Sequence, residues 1–284
     1  MLVIVGFIVV IASVLGGFAM AGGDMHSLVH PSELVTIGGA ALGALITMAP
    51  KKVLKDLMHG MIACLKGSPY NRRAYEELFK AMYELLKLAR YNGLLALESH
   101  LTDPHQSAVI SKYPSIIKNH HAEKFICGSL TLIVDGSVTP DQLPELMDAE
   151  LKAMEEEHHG PLNVLSKTAD GLPGFGIVAA VMGIVITMGS IDGPVEEIGH
   201  KVGAALVGTF LGILLSYGFF GPLTVQMEFL CAAELAYFRT IATIVQGFAG
   251  NKSPKVVIEQ ARRGTMSDVR PDQAELEAAL RELG

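Results

Sequence analysis

What this chain can fold into is limited above all by four stretches that hold no Asp, Glu, Lys, Arg or His: residues 2–21, 34–49, 171–191 and 202–227. A helix needs roughly 20 apolar residues to cross the hydrocarbon core of a bilayer. Each stretch meets or approaches that length, and 34–49 is the shortest. Hydrophobic residues make up 50% of the chain, and the 18% that are charged gather in the blocks between these stretches. A soluble domain spreads its charge more evenly, so the pattern predicts an all-α integral membrane protein with four transmembrane helices in two hairpins.

Ala19-Met20-Ala21 imitates a signal cleavage site, but no Lys or Arg precedes it and the apolar run is too long for a signal core. An uncleaved anchor is expected. Positive charge sets the orientation. Lys51, Lys52 and Lys55 crowd the end of the second stretch, whereas residues 24–33 have no Lys or Arg and residues 192–201 have only Lys201. Both termini and the large loop are therefore expected on the cytoplasmic side. The net charge of −7 averages over two compartments and says little about partners. Cys64, Cys127 and Cys231 have neither metal-type nor redox spacing, so they read as structural thiols.

The expected organisation is a hairpin over residues 1–50, a cytoplasmic helical domain over 51–170, a second hairpin over 171–227 and a cytoplasmic tail over 228–284. Within the loop, "NRRAYEELFKAMYELLKLARYNGLLALESHL" carries apolar residues at helical spacing, among them Leu78, Met82, Leu85 and Leu86. It reads as one long amphipathic helix or as two broken at Gly93. A second helix is expected over residues 114–134. A third starts at Thr139-Pro140-Asp141-Gln142, with Thr139 as N-cap and Gln142 closing a capping box. The run Glu155-Glu156-Glu157 reads as a solvated helix end.

Helices in lipid gain little from hydrophobicity against one another, so close packing through small residues matters. Gly39-x-x-x-Gly43 and Gly208-x-x-x-Gly212 provide it, within this chain or against another. The orientation places Pro173 and Pro222 at one membrane level near the cytoplasmic face. Pro173 suits the first turn of a helix capped by Asp170. Pro222 lies deeper in its span, where it is expected to cost a backbone hydrogen bond and bend the helix. Ion pathways usually betray themselves by a buried ionisable side chain, and none falls within the four stretches. Their polar groups include the hydroxyls of Ser13, Thr36, Thr47, Thr187, Thr209 and Ser216, which usually bond back to their own helix.

The segments "DGLPGFGIVAAVMGIV", "LVGTFLGILLSYGFFGPL" and "LARYNGLLALESHL" resemble the MotA family, the four-span stator subunits of the bacterial flagellar motor, and the resemblance runs over essentially the whole chain. It implies an inner-membrane complex in which five such chains surround the single spans of two MotB subunits. MotB is anchored to peptidoglycan and carries the ion-binding aspartate. The apolar ring then gives that carboxylate a low-dielectric setting whose water access changes as subunits move. By the family pattern, Pro173 and Pro222 couple protonation to cytoplasmic movement, and Thr209 lies beside the ion path. Arg90 and Glu98, and also Glu150, match the charged residues that engage the rotor protein FliG. Arg90 and Glu98 are eight positions apart, so on one unbroken helix they lie about 80° apart on neighbouring parts of a face. Sodium-driven relatives place a threonine where this chain has Ala180, and a methyl group offers a sodium ion no oxygen. The expected transported ion is therefore the proton, with a sodium-driven variant as an alternative.

No enzyme, cofactor, metal or nucleic-acid signature accompanies these features. His26 and His30, the pair His120-His121 and the pair His158-His159 lack accompanying ligands at metal spacing and read as surface residues. "PGFG" lacks the strand and helix of a dinucleotide fingerprint. A further alternative is a proton-driven energiser of the ExbB/TolQ type, which usually has three spans and an outside N-terminus; the last is a passive membrane scaffold.

Overall fold

The computed structural model of the chain describes residues 2–189 and 191–283. The α-helices are α1 (Leu2–Met20), α2 (Pro31–Met48), α3 (Lys51–Lys66), α4 (Arg72–Asn92), α5 (Glu98–Thr102), α6 (Pro114–Ile117), α7 (His120–Val134), α8 (Leu143–Met188), α9 (Val195–Ile213), α10 (Gly221–Ala249), α11 (Pro254–Gly264) and α12 (Gln273–Glu282). Short 3-10 helices occur at Met25–Leu28, Leu94–Leu97 and Ile110–Lys112, and a π-helix at Leu214–Phe220. No strand occurs among the described residues. Four segments are long and apolar enough to cross a membrane: Leu2–Met20, Met25–Met48, Leu143–Met188 and Val195–Ala249. Each holds the bulk of one uncharged stretch. The chain divides into two compact units, one joining the residues up to Gly67 with Glu157–Leu230, the other joining Ser68–Glu156 with the residues from Cys231 on.

The first unit is built from apolar helices. Helix α1 buries no residue in this chain and leaves Ile4, Val5, Ile8 and Val9 exposed, as a lipid-facing helix does. It is tied down by Phe7 against Phe219, with ring centroids 4.9 Å apart. Ile37 and Ala41 of α2 pack with Leu172 and Ala179 of α8 in a small core. Helix α3 has no counterpart among the elements expected from the sequence. Pro50 stands at its N-cap, Gly67 ends it at φ +90°, and Met58, Ile62 and Leu65 remain exposed beside Lys51, Lys52 and Lys55. Lys51 and Lys55 share the exposed face of this helix with Met58, Ile62 and Leu65.

Helix α8 changes the reading of Pro173. The helix runs without a break over 46 residues and holds Pro161 and Pro173 in its interior. Asp170 is therefore a mid-helix residue and not a cap, and Pro173 removes a hydrogen bond from within a helix instead of opening one. The charged and apolar parts of α8 look like separate elements in the sequence because composition changes at Asp170; backbone continuity is indifferent to that change.

The second unit has its own core. Tyr75, Leu78, Phe79, Met82, Leu85 and Leu86 of α4 meet Phe125 and Leu130 of α7 and Tyr237, Phe238, Ile241 and Val245 of α10. Helix α4 starts where the Asn71 side chain accepts from the Ala74 amide, and stops at Gly93, whose φ of +87° favours glycine. The broken alternative for this stretch is the one realised. Residues 114–134 form two helices, α6 and α7, separated where the Asn119 side chain caps α7 through the Ala122 amide. Half of the Thr139 capping box is present, with the Thr139 amide donating to Gln142 Oε1 at 3.2 Å. The tail is no loose appendage. Helix α10 contributes to this core, and Val257, Ile258, Leu276 and Leu280 of α11 and α12 complete it.

Cys127 lies in this core, and burial, helped by the Glu123 charge, pushes its thiol up to about 12. A thiolate is the reactive species. Maleimide at pH 8 should therefore leave Cys127 unmodified in the folded protein and label it only after denaturation, as peptide mass spectrometry would show.

Candidate functional site

Of the residues expected along the ion path, Pro222 belongs to α10, whereas Pro173, Ala180 and Thr209 lie in or beside the contact of α8 with α9 in the first unit. Glycines bring the two backbones together there. A Cβ on Gly176 would lie 2.8 Å from the Gly208 carbonyl oxygen, and one on Gly212 would lie 2.6 Å from the Leu172 carbonyl oxygen. Further along, a Cβ on Gly183 would meet the Ala205 methyl at 2.6 Å. The Gly208-x-x-x-Gly212 motif is thus used inside this chain. A Cβ on Gly39 or Gly43 would meet nothing within 4 Å, so that motif is not.

Pro173 follows Leu172 directly, and so sits at the edge of this seam. Thr209 is adjacent to Gly208, and its Cα lies 3.3 Å from the position a Gly176 side chain would take. Ala180 belongs to the same contact, its amide nitrogen 3.4 Å from the Cβ position of Gly208. Thr36, Thr47 and Thr187 donate to carbonyls four residues back, as hydroxyls in apolar helices are expected to.

The four stretches hold no ionisable side chain, but Glu33, one residue ahead of the second, is buried on the helix that carries that stretch. Helix α2 begins at Pro31, three residues before the uncharged window, and Glu33 in its first turn is only 7% exposed. Its Oε2 is buried without a hydrogen-bond partner and lies 2.6 Å from the Cβ position of Gly208, where a methyl group would exclude it. His30 Nδ1, at the N-cap of the same helix, is also buried without a partner. The signal was present in Pro31-Ser32-Glu33, a first-turn proline followed by an acid. Requiring an uncharged window hid it.

Pro222 sits in the second residue of α10, directly after the π-helix Leu214–Phe220. The expected loss of a hydrogen bond takes the form of a widened turn. The Gly221 amide reaches back five residues to the Ser216 carbonyl, which relieves the crowding a proline ring causes in a regular helix. π-helical turns of this kind collect at functional sites.

In the second unit, Arg90 in the last turn of α4 and Glu98 at the start of α5 are exposed, as is Glu150 on α8. Arg90 lines a groove with Gly93, Leu94, Thr139 and Phe248. Gly93 and the 3-10 turn Leu94–Leu97 separate Arg90 from Glu98, so the shared helical face calculated for an unbroken helix does not exist. Partial desolvation holds the Glu150 carboxyl above its ordinary range although the side chain reaches solvent. One histidine does acquire partners. His120 Nδ1 lies 3.6 Å and His105 Nε2 3.5 Å from Glu123 Oε2, an arrangement the sequence conceals because His105 comes from a separate loop.

The Motility protein A N-terminal family matches residues 4–93 and the MotA/TolQ/ExbB proton channel family matches residues 117–230. Motility protein A of Salmonella typhimurium is 36% identical over 281 residues, covering 99% of this chain and 95% of the relative. The fold resembles that of C. jejuni MotAB at a TM-score of 0.78 and 22% identity, covering 95% of this chain and 98% of the other. It also resembles the flagellar MotAB stator complex from Bacillus subtilis, at a TM-score of 0.76 and 22% identity, over 97% of this chain and 98% of the other.

Proposed function

The chain belongs to the MotA family within the MotA/TolQ/ExbB proton channel proteins, and on that premise we propose that it is a stator subunit that turns proton flow into rotation of the flagellum. In this reading it sits in the inner membrane with both termini in the cytoplasm. Five copies enclose two MotB subunits, and MotB holds the carboxylate that loads and unloads the proton. Each proton that crosses gains about 2.3 kcal/mol per 100 mV, enough to bias a packed ring between two arrangements.

The observation that carries the reading is Pro173 inside α8, next to a backbone-to-backbone contact of α8 with α9. A helix weakened at that point can change shape where the neighbouring helix is close enough to feel it. Pro222, after its π-helix, supplies a second such place. Ala180 offers no oxygen to a sodium ion, which supports the proton.

Arg90, Glu98 and Glu150 meet the rotor protein FliG in this reading. Exposed charge pairs contribute about 0–1 kcal/mol each, so a contact made of them can form and break at every step. Arg90→Glu is expected to slow swimming at unchanged chain level, and a charge reversal on the rotor should restore part of the speed; a variant indistinguishable from wild type would remove Arg90 from the interface.

A clean deletion tests the whole proposal. Cells lacking the chain should build flagella and fail to swim. Normal swimming with failed iron-chelate uptake would favour the energiser, and motility that follows external sodium would favour the sodium-driven variant.

A further inference from the structure

Glu33 is a carboxyl placed where apolar helices leave it no donor. It faces the Gly208 backbone of α9, with Ala179 and Ala180 of α8 beside it and Ile37 one turn along α2. No ionisable residue lies on α9 between Lys201 and Ile213, nor on α8 between Gly171 and Met188. The other titratable groups near the start of α2 are His30, and His26 and Asp24 on and before the 3-10 turn that packs against α9. A buried ion without a partner is costly, whereas a protonated carboxyl is tolerated.

Building on the proton-driven reading, we propose that Glu33 is a proton-binding relay of the ion path, passing protons from outer water towards the carrier carboxylate of the partner. Only O–H bonds change. The Glu33 carboxyl gives its proton inward, and the carboxylate left behind is reprotonated from water on the outer side. Gly208 keeps the space into which that carboxyl projects, beside Thr209.

The test uses the full complex in cells, with rotation measured at light load and at stall. Glu33→Gln keeps the shape and cannot pass a proton; it should slow lightly loaded rotation roughly tenfold, equivalent to about 1.4 kcal/mol, and leave stall torque unchanged. Glu33→Asp should recover most of the speed. Wild-type speed in the Gln variant overturns the relay, and so does equal slowing by Asp and Gln, which would reveal a packing role. Wild-type rotation that follows sodium instead of the proton gradient overturns the proposed function itself.

A separate observation in the second unit concerns His105, His120 and Glu123, whose nearest ligand atoms all lie within 4.8 Å of one another. Zinc bonds of about 2.0–2.2 Å in a tetrahedron imply ligand separations of about 3.3–3.6 Å, and the two histidine-to-carboxylate distances are 3.5 and 3.6 Å. Glu123 Oε2 is buried and accepts no hydrogen bond, while both imidazoles are exposed and can admit an ion. We infer that these three side chains bind a first-row divalent cation such as Zn²⁺, fastening the loop that carries His105 to the first turn of α7. Purified complex loaded with zinc and washed with a weak chelator should retain about one zinc per chain more than the His105→Ala/His120→Ala variant, and hydrogen exchange in residues 103–109 should slow with zinc only in the wild type. Equal retention, or exchange unaffected by zinc, overturns the site.

Discussion

Pro173→Ala is expected to abolish swimming while leaving at least as much protein in the membrane as wild type. The direction of the second effect makes the first informative. Pro173 lies in the interior of α8, so the chain forgoes the hydrogen bond its amide would donate to the Ala169 carbonyl. An interior proline costs a helix about 3 kcal/mol, and alanine restores that bond, so the variant helix gains stability. Lost motility then cannot be charged to misfolding and must come from lost flexibility at the seam. Pro161 is a control of identical chemistry, also inside α8 but remote from the Gly176–Gly212 contact. Pro161→Ala should keep swimming. Swimming cells carrying Pro173→Ala, with immunoblots showing normal chain, would end the coupling role.

The opposite signature is expected at Gly212. Gly212→Ala would set a methyl group 2.6 Å from the Leu172 carbonyl oxygen, 2.9 Å from the Gly176 Cα and 3.1 Å from its nitrogen. All three are backbone atoms, which cannot swing aside as a side chain can. Helices α8 and α9 would have to separate, and overpacking of this kind costs about 1–3 kcal/mol or more. Chain level and recovery of intact complex should therefore fall together with motility. Gly39→Ala, with nothing within 4 Å inside the chain, should leave chain level within a few tenths of a kcal/mol in stability terms. Quantitative blots of membrane fractions from the two variants decide the matter; equal levels would mean that the seam is less tight than it is drawn.

Taken together the two substitutions separate a helix that must bend from one that must not move away. They also show which features a sequence exposes. The four spans were legible because length and lack of charge are themselves the physical requirement for crossing lipid. The break at Gly93 was legible as an alternative, since a positive φ favours glycine. The close use of Gly208 and Gly212 was legible in kind, although only the structure shows Gly176 and Leu172 as the surfaces they meet.

Other features depended on information that no local pattern carries. Asp170 and Pro173 imitate a helix start, and nothing local says that α8 is already helical for about seven turns before them. The π-helix ahead of Pro222 is a backbone response with no residue signature of its own. Helix α3 was hidden because its basic residues point to topology and mask the helical spacing of Val53, Leu57, Met61 and Cys64. Glu33 escaped because a charge at the edge of a span reads as the end of the span. His105 and His120 are fifteen positions apart, and only the packing of the loop against α7 brings them to one carboxylate.

In the proposed function this chain encloses an ion carrier that another subunit provides. The direct measurement is proton flux into liposomes under an imposed membrane potential, with this chain reconstituted alone and compared with empty vesicles. No flux above the empty vesicles is expected, because Glu33 can only pass on what a partner's carboxylate accepts; a proton-selective current from the chain alone would mean that it owns a complete path of its own.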